Sequence, residues 1–429
     1  MTLVLVVFLV LVALGMPIAF AIGISGFLFF LAADLSLTIP AQVSLTQTQN
    51  FAILAIPLFI LAGNCLNETG LTRRLLDFAS SLTGHMRAGL GHVNAVSAFM
   101  MGGVTSSAIG DATMFGRILG PAMRERSYAP GFAAGVVGSS ALITTMVPPG
   151  TGLILYGTLG EVSIGKLFVA GIVPGAVMTL LIMGAVGFTA RRQNLPRERP
   201  TRGTPTEVLR TGLSSIWALL FPVILIVGLR FGVFTPSEAG AFAVAYALVV
   251  GLVVYREISW RKFRLALSNT IDDVGMIMLL IVLSGGWGYA LSWDRVPQTI
   301  MEVLTGISEN PTVIMAIIVI ALLVAGMFMD STVLILLLTT MLVPVAEMAG
   351  IDPIHFGIVM ILTLTLGLLT PPVGIVMLIT VQMFRTDVGT YLRQSVYLWL
   401  ALALLVVLVI FVPQTVTWLP DLIYRPAGS

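Results

Sequence analysis

Long apolar segments separated by short polar connections make up most of this chain. Apolar runs cover residues 3–14 and 18–33, and further runs recur along the 429-residue sequence. A helix of about 20 apolar residues crosses the hydrocarbon core of a bilayer. Transmembrane β-strands would instead alternate apolar and polar positions, whereas these runs are continuous. The pattern predicts an all-α polytopic membrane protein.

Two of the predicted spans are interrupted by closely similar sequences. Residues 146–152 read MVPPGTG and residues 369–374 read LTPPVG, so the two proline pairs are 223 residues apart. The same shift superposes further glycines and prolines of the two halves. We therefore predict a duplicated protein with one broken helix in each half, at residues 130–157 and 355–384.

Each half also contains a polar tip with one apolar arm before it and one after it. The tips are residues 105–111 and 329–332, within the segments 89–126 and 312–346. The arms of the first are too short to cross a bilayer comfortably. Irregular backbone at membrane depth is tolerated only where it faces protein or water. We therefore predict two re-entrant hairpins.

An arginine-rich linker at residues 191–212 divides the chain into a first repeat, 1–190, and a second repeat, 213–429. By the positive-inside rule the linker is cytoplasmic. Counting crossings outward from it places both termini in the periplasm and gives the two repeats opposite orientations. An amphipathic arm helix at 67–88 then lies on the inner surface, and its counterpart at 294–311 lies on the outer surface. The other predicted spans are residues 51–66, 166–190, 213–230, 235–255, 271–293 and 395–412, with a polar connection at 34–50.

Composition supports the membrane class and excludes several functions. Apolar residues make up 57% of the chain and charged residues 10%, with a mean hydropathy of +1.03. The net charge of +2 is spread over separate loops, so no nucleic-acid partner is expected. The single cysteine and three scattered histidines predict neither a disulfide framework nor a metal site. No metalloprotease or nucleotide-binding motif occurs, so we do not expect an enzyme. Without a nucleotide-binding motif, we expect any transport to be driven by an ion gradient.

Inverted repeats with broken helices are typical of secondary transporters, whose sites lie at the breaks. A proline pair cannot continue the helical hydrogen-bond ladder, so carbonyls upstream of Pro148 and Pro371 should lose their donors. Such carbonyls are ligands for a cation such as Na⁺. The hydroxyls of Thr144, Thr145 and Thr370 lie beside them in the sequence. The alternative is that the prolines only kink their spans.

Asp111 and Asp330 lie in or beside the predicted hairpin tips. A carboxylate in the membrane costs about 2.5–3.5 kcal/mol on insertion scales, so each should face an aqueous site and have a partner. Asp330 could ligate a cation, carry a proton or orient a substrate hydroxyl. Alternatively, either carboxylate caps the helix that follows it. Ser106 and Ser107 could cap a helix, ligate an ion or substrate, or do both.

Taken together, these motifs resemble the large membrane subunit (DctM/SiaM type) of tripartite ATP-independent periplasmic (TRAP) transporters, nearly from end to end. The motifs that carry the resemblance are residues 15–19 (GMPIA), 56–59 (IPLF), 102–111, 147–149 (VPP), 235–239 (TPSEA), 326–330 and 370–374 (TPPVG).

The resemblance implies an elevator-type transporter of the inner membrane with Na⁺ as the coupling ion and no other cofactor. It implies three partners besides the lipid bilayer: a small four-helix membrane subunit, a periplasmic substrate-binding protein, and a small organic acid such as a C4-dicarboxylate or sialic acid. The runner-up is a stand-alone Na⁺-coupled carboxylate carrier without a binding protein. A membrane scaffold or channel is the alternative from a different class.

The resemblance also assigns sites. The residues implied for the first Na⁺ are Ser106, Ser107, Asp111, Thr144, Thr145, Val147 and Pro148. Those implied for the second Na⁺ are Gly326, Asp330, Gly367, Thr370 and Pro371. Substrate would lie between the tips and touch Ser106, Ser107 and Asp330. No Lys or Arg lies in either tip or break, so the partner of a substrate carboxylate is left to helix N-terminal N–H groups.

Overall fold

A computed structural model describes residues 2–49, 51–105, 107–199 and 201–424, and within these ranges the regular elements are helices. The helices of the first repeat are α1 (Thr2–Ala13), α2 (Ile18–Ala32), α3 (Thr38–Gln49), α4 (Ala55–Asn67), α5 (Leu71–Thr83), α6 (Gly89–Met101), α7 (Ala108–Glu125), α8 (Pro130–Met146), α9 (Thr151–Leu159) and α10 (Ile164–Arg192). Those that follow are α11 (Pro205–Arg230), α12 (Pro236–Val249), α13 (Trp260–Trp293), α14 (Val296–Ile307), α15 (Pro311–Phe328), α16 (Ser331–Met348), α17 (Pro353–Gly367), α18 (Ile375–Met383), α19 (Val388–Gln394), α20 (Val396–Phe411) and α21 (Gln414–Tyr424).

The helices confirm a polytopic membrane protein. Within the described residues, six are long and apolar enough to span a bilayer, or up to nine spans if each bent helix pair is one span. One such pair is α8 and α9, which meet at 43° around the first proline pair. The helices α6 and α7 form the first hairpin, and α15 and α16 form the second.

Early helices of the two repeats pack against each other. Helix α4 packs against α12, and α2 packs against α13. The approach of α12 is close because Gly240 has no side chain, and a Cβ there would lie 2.9 Å from Cβ of Leu58. Between α2 and α13, the indole N–H of Trp287 donates a 2.9 Å hydrogen bond to the Ser25 hydroxyl. Both side chains are buried, so this bond satisfies polar groups that lipid could not.

The hairpins and broken helices of the two repeats pack crosswise. Helix α7 lies against α8 of its own repeat and α18 of the other, while α16 lies against α17 and α9. Gly116 of α7, for example, faces the side chain of Met383 in α18. Helices α8 and α17 are buried on nearly every face, which explains why their sequences are apolar all round. Neither repeat buries its own broken helix alone.

The structure differs from the sequence predictions in several connections. The polar stretch at 34–50 contains helix α3, whose Ser44 hydroxyl donates to the Val282 carbonyl of α13 at 3.1 Å. Its low hydropathy did not predict a helix, because α3 is stabilised by packing against α13 rather than by lipid. Helix α11 begins at Pro205, inside the predicted linker, because Thr204 caps it by accepting from the Glu207 N–H. Helix α21 was not predicted.

In the second repeat the backbones of α15 and α17 are in contact. A Cβ at Gly367 would lie 2.4 Å from the carbonyl carbon of Gly326, and one at Gly326 would lie 2.8 Å from the Leu364 oxygen. Real Cβ atoms essentially never approach backbone so closely. Glycine at both positions is therefore required for this packing.

We expect Gly367→Ala to destabilise the protein by about 1–3 kcal/mol, because overpacking forces the two helix backbones apart. Thermal unfolding of the purified protein in detergent measures the loss. Gly275→Ala is the matched control, since a Cβ at Gly275 of α13 meets no atom within 4 Å. It should leave the melting temperature unchanged or raise it slightly. Equal effects of the two substitutions would contradict the contact.

Candidate functional site

The first hairpin tip lies directly against the first break. Helix α6 ends at Met101, and the next residues pack on the segment between α8 and α9. A Cβ at Gly102 would lie 2.3 Å from Cβ of Val147, and one at Gly103 would lie 3.2 Å from the carbonyl oxygen of Pro148. Position 102 therefore requires glycine, and a side chain at position 103 would make a tight contact that the break would have to accommodate. It brings the tip backbone and the break backbone into one cluster.

Asp111 is the ionisable group of this cluster. Its side chain is 1% exposed, and its Oδ2 accepts a 2.7 Å hydrogen bond from the Thr105 hydroxyl. The Thr144 side chain of α8 is a near neighbour of the carboxylate, although its hydroxyl donates to the Ala141 carbonyl of its own helix. Ser107 caps α7 by accepting a 3.2 Å bond from the Gly110 N–H. Among the described residues no arginine or lysine forms an ion pair with Asp111.

The first break leaves carbonyl groups available. The last helical bond of α8 runs from the Val147 N–H to the Ile143 carbonyl, and no described backbone N–H donates to the carbonyl of Thr144 or Thr145. The hydroxyls of these two threonines donate instead to carbonyls one turn earlier in α8, each at 2.8 Å. Carbonyl oxygens at a helix C-terminus carry partial negative charge. Together with Asp111 they make an oxygen-rich cluster.

The second tip and break are tied by a backbone hydrogen bond. The Gly374 N–H at the start of α18 donates to the Met327 carbonyl of α15 at 3.0 Å. The carbonyls upstream of Pro371 do not all lose their donors, contrary to the prediction. The Gly367 carbonyl accepts from the Thr370 N–H at 2.9 Å, and the Leu368 carbonyl from the Met377 N–H at 3.2 Å. The turn after α17 supplies the Thr370 donor and the first turn of α18 supplies the Met377 donor, and each carbonyl keeps a second lone pair.

Asp330 is half-buried and caps α16, with Oδ1 accepting a 2.8 Å bond from the Thr332 N–H. The capping alternative is therefore realised. Ser107 holds the corresponding position in the first repeat, 223 residues earlier, and has the same role. The Thr370 hydroxyl donates to the Leu366 carbonyl.

The structure thus distributes the predicted site residues over two clusters. The first contains Ser107, Asp111, Thr144, Thr145, Val147 and Pro148. The second contains Gly326, Asp330, Gly367, Thr370 and Pro371. Ser106 lies outside the described residues. No hydrogen bond of the described residues joins Ser107 to Asp330, so the proposed substrate contact between the tips stays a prediction.

Sequence reasoning missed the role of Thr105. This residue stood in the predicted tip, but its spacing from Asp111 does not match a helical turn, so nothing indicated the contact. The chain reverses between them, and this brings the hydroxyl to the carboxylate. The backbone groups of Met327 and Gly374 were missed for a similar reason, because a sequence does not show which segments meet across a fold.

Comparison with known proteins places the chain in a group of related permeases. The family model described as "Tripartite ATP-independent periplasmic transporter, DctM component" matches residues 5–415. The 2,3-diketo-L-gulonate TRAP transporter large permease protein YiaN of Escherichia coli (strain K12) is 35% identical over 94% of this chain and 95% of its own. The sialic acid TRAP transporter large permease protein SiaM of Vibrio cholerae is 34% identical over 95% of both chains.

A third relative is the C4-dicarboxylate TRAP transporter large permease protein DctM of Pseudomonas aeruginosa, 32% identical over 94% of both chains. Among solved structures, the Alcanivorax borkumensis YdaH transporter has a similar fold. Its TM-score is 0.64 over 88% of both chains, with 14% sequence identity. At that identity the likeness concerns the fold alone.

We expect Thr105→Val to lower the free energy of unfolding by about 1–3 kcal/mol, because it removes a hydrogen-bond donor from a buried carboxylate. Chemical or thermal unfolding in detergent measures the change. Thr113→Val is the matched control on α7, since that hydroxyl donates only to the Ile109 carbonyl of its own helix at 2.9 Å. A loss no greater than that of the control would show that the Asp111 contact contributes nothing.

Proposed function

The chain belongs to the DctM component family of tripartite ATP-independent periplasmic transporters, and from this membership we propose that it takes up a small organic acid in symport with Na⁺ by an elevator movement. It is a multi-pass membrane protein and not an enzyme. In the proposal, α6–α9 and α15–α18 move together against the scaffold formed by α2, α4, α12 and α13.

The observation that carries the proposal is the buried Asp111 carboxylate beside the first break. Burial of an ionised carboxylate without a cationic partner is costly, and a bound cation would supply the missing charge. The candidate ligands are all oxygens: the Asp111 carboxylate, the Thr105 and Thr144 hydroxyls, and the Thr144 and Thr145 carbonyls. An all-oxygen set of this kind suits Na⁺. The second cluster would hold a further Na⁺ through the Gly367 carbonyl and its neighbours.

The substrate class is proposed from the relatives. They are named for diketogulonate, sialic acid and C4-dicarboxylate, which are all organic acids. In this chain the half-helices α9 and α18 have Gly150 and Gly374 as N-cap residues and therefore have no side-chain cap. Their first N–H groups and dipoles would favour a carboxylate. The substrate would lie between the two tips, near Ser107 and Asp330.

Partners and orientation complete the proposal. A small four-helix membrane subunit would extend the scaffold, and a periplasmic substrate-binding protein would deliver the acid. We place the arginine-rich linker at the cytoplasmic face of the inner membrane and both termini in the periplasm. A stand-alone carrier is the alternative. It predicts uptake by reconstituted permease without a binding protein, whereas the tripartite proposal predicts none.

We expect Na⁺ to raise the melting temperature of the purified protein more than K⁺ at the same ionic strength, since a ligand of the folded state stabilises by mass action. Asp111→Asn should raise the half-maximal Na⁺ concentration at least tenfold or abolish the shift. The Asp330→Ala variant tests the second cluster in the same way.

Asp387→Asn is the control for this titration. Asp387 caps α19 by accepting from the Thr390 N–H, and asparagine caps as well as aspartate does. This variant should keep the full Na⁺ response. If Na⁺ and K⁺ stabilise the wild type equally, the Na⁺ sites are wrong and proton coupling through the carboxylates becomes the leading idea.

The elevator movement is testable at one contact between hairpin and scaffold. A Cβ at Gly288 of α13 would lie 3.9 Å from Cβ of Thr340 in α16, within the range of about 3.5–4.5 Å found in disulfides. We expect the double variant Gly288→Cys/Thr340→Cys to form a disulfide on oxidation. The bond would fix α16 to α13 and stop uptake of organic acid, and dithiothreitol should restore uptake.

The measurement is uptake of labelled C4-dicarboxylate or sialic acid into proteoliposomes containing the assembled transporter. The two single-cysteine variants are the controls and should be insensitive to oxidation. Native Cys65 is buried and present in all variants. Full uptake by the cross-linked protein would exclude movement of α16 past α13.

A further inference from the structure

A basic cavity of about 480 Å³ lies at the end of α10 and beside the start of α6, the helix whose other end leads to the first hairpin tip. It opens where four segments meet: the α5–α6 connection, α6, α10 and the linker. The lining residues are His85, Met86, Arg87, His92, Gly187, Arg191, Arg197 and Arg202. They include four arginines and no carboxylate.

Within the described part of the chain, no ion pair neutralises the positive charge of this cavity. None of its four arginines takes part in the ion pairs of the described residues, which are Arg74–Glu257 and Arg199–Glu207. The nearby carboxylate of Glu198 is engaged elsewhere, since it accepts from the Gly89 N–H and from the Tyr128 hydroxyl. The cavity therefore favours an anion.

A buried histidine faces the same cavity without a partner. His92 is 1% exposed, and neither ring nitrogen has a hydrogen-bond partner among the described residues. The backbone carbonyl of Arg87 lies near the ring but without hydrogen-bond geometry. Nδ1 of His85 is also buried and unpartnered. Buried polar groups in native proteins normally have partners, so these nitrogens point to a ligand that supplies them.

The backbone that presents the arginines is fixed. Arg87 and Arg197 pair in an antiparallel bridge, and the Ala88 N–H donates to the Pro196 carbonyl at 3.0 Å. The Arg199 N–H donates to the Gly84 carbonyl at 3.2 Å, so the linker is held against the end of α5. The cavity is thus a preformed site, because its walls are joined by hydrogen bonds rather than lying on a loose tail.

One face of α10 continues the cavity towards the lipid. Arg191, Gly187, Gly184 and Leu180 follow one another at helical spacing, which places them on the same face. A Cβ at Gly184 would meet no atom within 4 Å, and Leu180 is 66% exposed. An open apolar groove therefore leads from the arginines along a membrane-spanning helix. An acyl chain would bury apolar surface along this groove, whereas a soluble anion would make no favourable contact with it.

We propose that this cavity binds the phosphate group of an anionic phospholipid, with an acyl chain lying along the exposed face of α10. Arginine guanidinium groups match phosphate oxygens bidentately, and the His92 ring can donate a further hydrogen bond. Basic pockets between membrane helices are suited to such headgroups. By joining the first hairpin, α10 and the linker, the lipid stabilises the folded protein. In the proposed orientation the lipid belongs to the cytoplasmic leaflet.

The test is thermal unfolding of the full chain in mixed micelles of detergent with phosphatidylglycerol or with phosphatidylcholine. We expect phosphatidylglycerol to raise the melting temperature and phosphatidylcholine to have little effect. Arg197→Gln/Arg202→Gln should raise the half-maximal phosphatidylglycerol concentration at least tenfold. The matched control, Arg210→Gln/Arg264→Gln, removes the same charge from exposed positions outside the cavity and should respond like the wild type.

Two further experiments distinguish a bound lipid from a soluble anion. Inorganic phosphate, compared with chloride at the same ionic strength, should produce no more than a small shift, and Gly184→Phe should weaken the response to phosphatidylglycerol by filling the groove. If phosphate alone reproduces the full, variant-sensitive shift, the occupant is a soluble anion and the lipid proposal is overturned. Equal responses of the cavity and control variants would overturn the site itself. Size-exclusion profiles and the melting temperature in phosphatidylcholine show whether each variant is folded.

Discussion

Backbone polar groups that leave helical geometry inside a membrane must find partners other than water, and this constraint shapes both breaks of the chain. Prolines end α8 and α17, so N–H and C=O groups are exposed at membrane depth. Each hairpin tip covers the break beside it. In the second repeat the Gly374 N–H donates to the Met327 carbonyl, and in the first the tip glycines lie on Val147 and Pro148.

Such close covering is possible only with small residues. Gly102, Gly326 and Gly367 lie where any side chain would collide with backbone or with Cβ of the opposite segment. Small residues also allow the crosswise packing, in which each outgoing hairpin arm contacts the broken helix of the other repeat. A movement of one hairpin then carries both breaks with it. This coupling within the core is what the proposed elevator requires, because the two clusters must travel as one body past the scaffold.

The lengths of the apolar runs and the repeated proline pairs predicted the spans, hairpins and breaks, because lipid imposes length and hydropathy on each span. They could not predict α3, which is polar and is stabilised by contact with α13. They also could not show that N–H groups of the turn and of α18 donate to the carbonyls of Gly367 and Leu368, since these bonds depend on the path of the chain after the break. The Thr105–Asp111 contact and the arginine cavity likewise join segments whose meeting no local pattern encodes.

The two repeats share their plan of helices but differ in the polar residues beside their breaks. At the shift of 223 residues, Ser107 corresponds to Asp330, and both cap the helix that leaves the tip. Asp111, in contrast, corresponds to Leu334, which is buried among apolar residues. The first repeat therefore has a serine cap and a buried carboxylate beside the break, while the second has the carboxylate at the cap itself. Both carboxylates accept a hydrogen bond, but Asp330 is half-exposed, and solvent screens its attraction for a cation more than that of the buried Asp111. The two proposed Na⁺ sites should therefore differ in affinity, with the stronger one at Asp111.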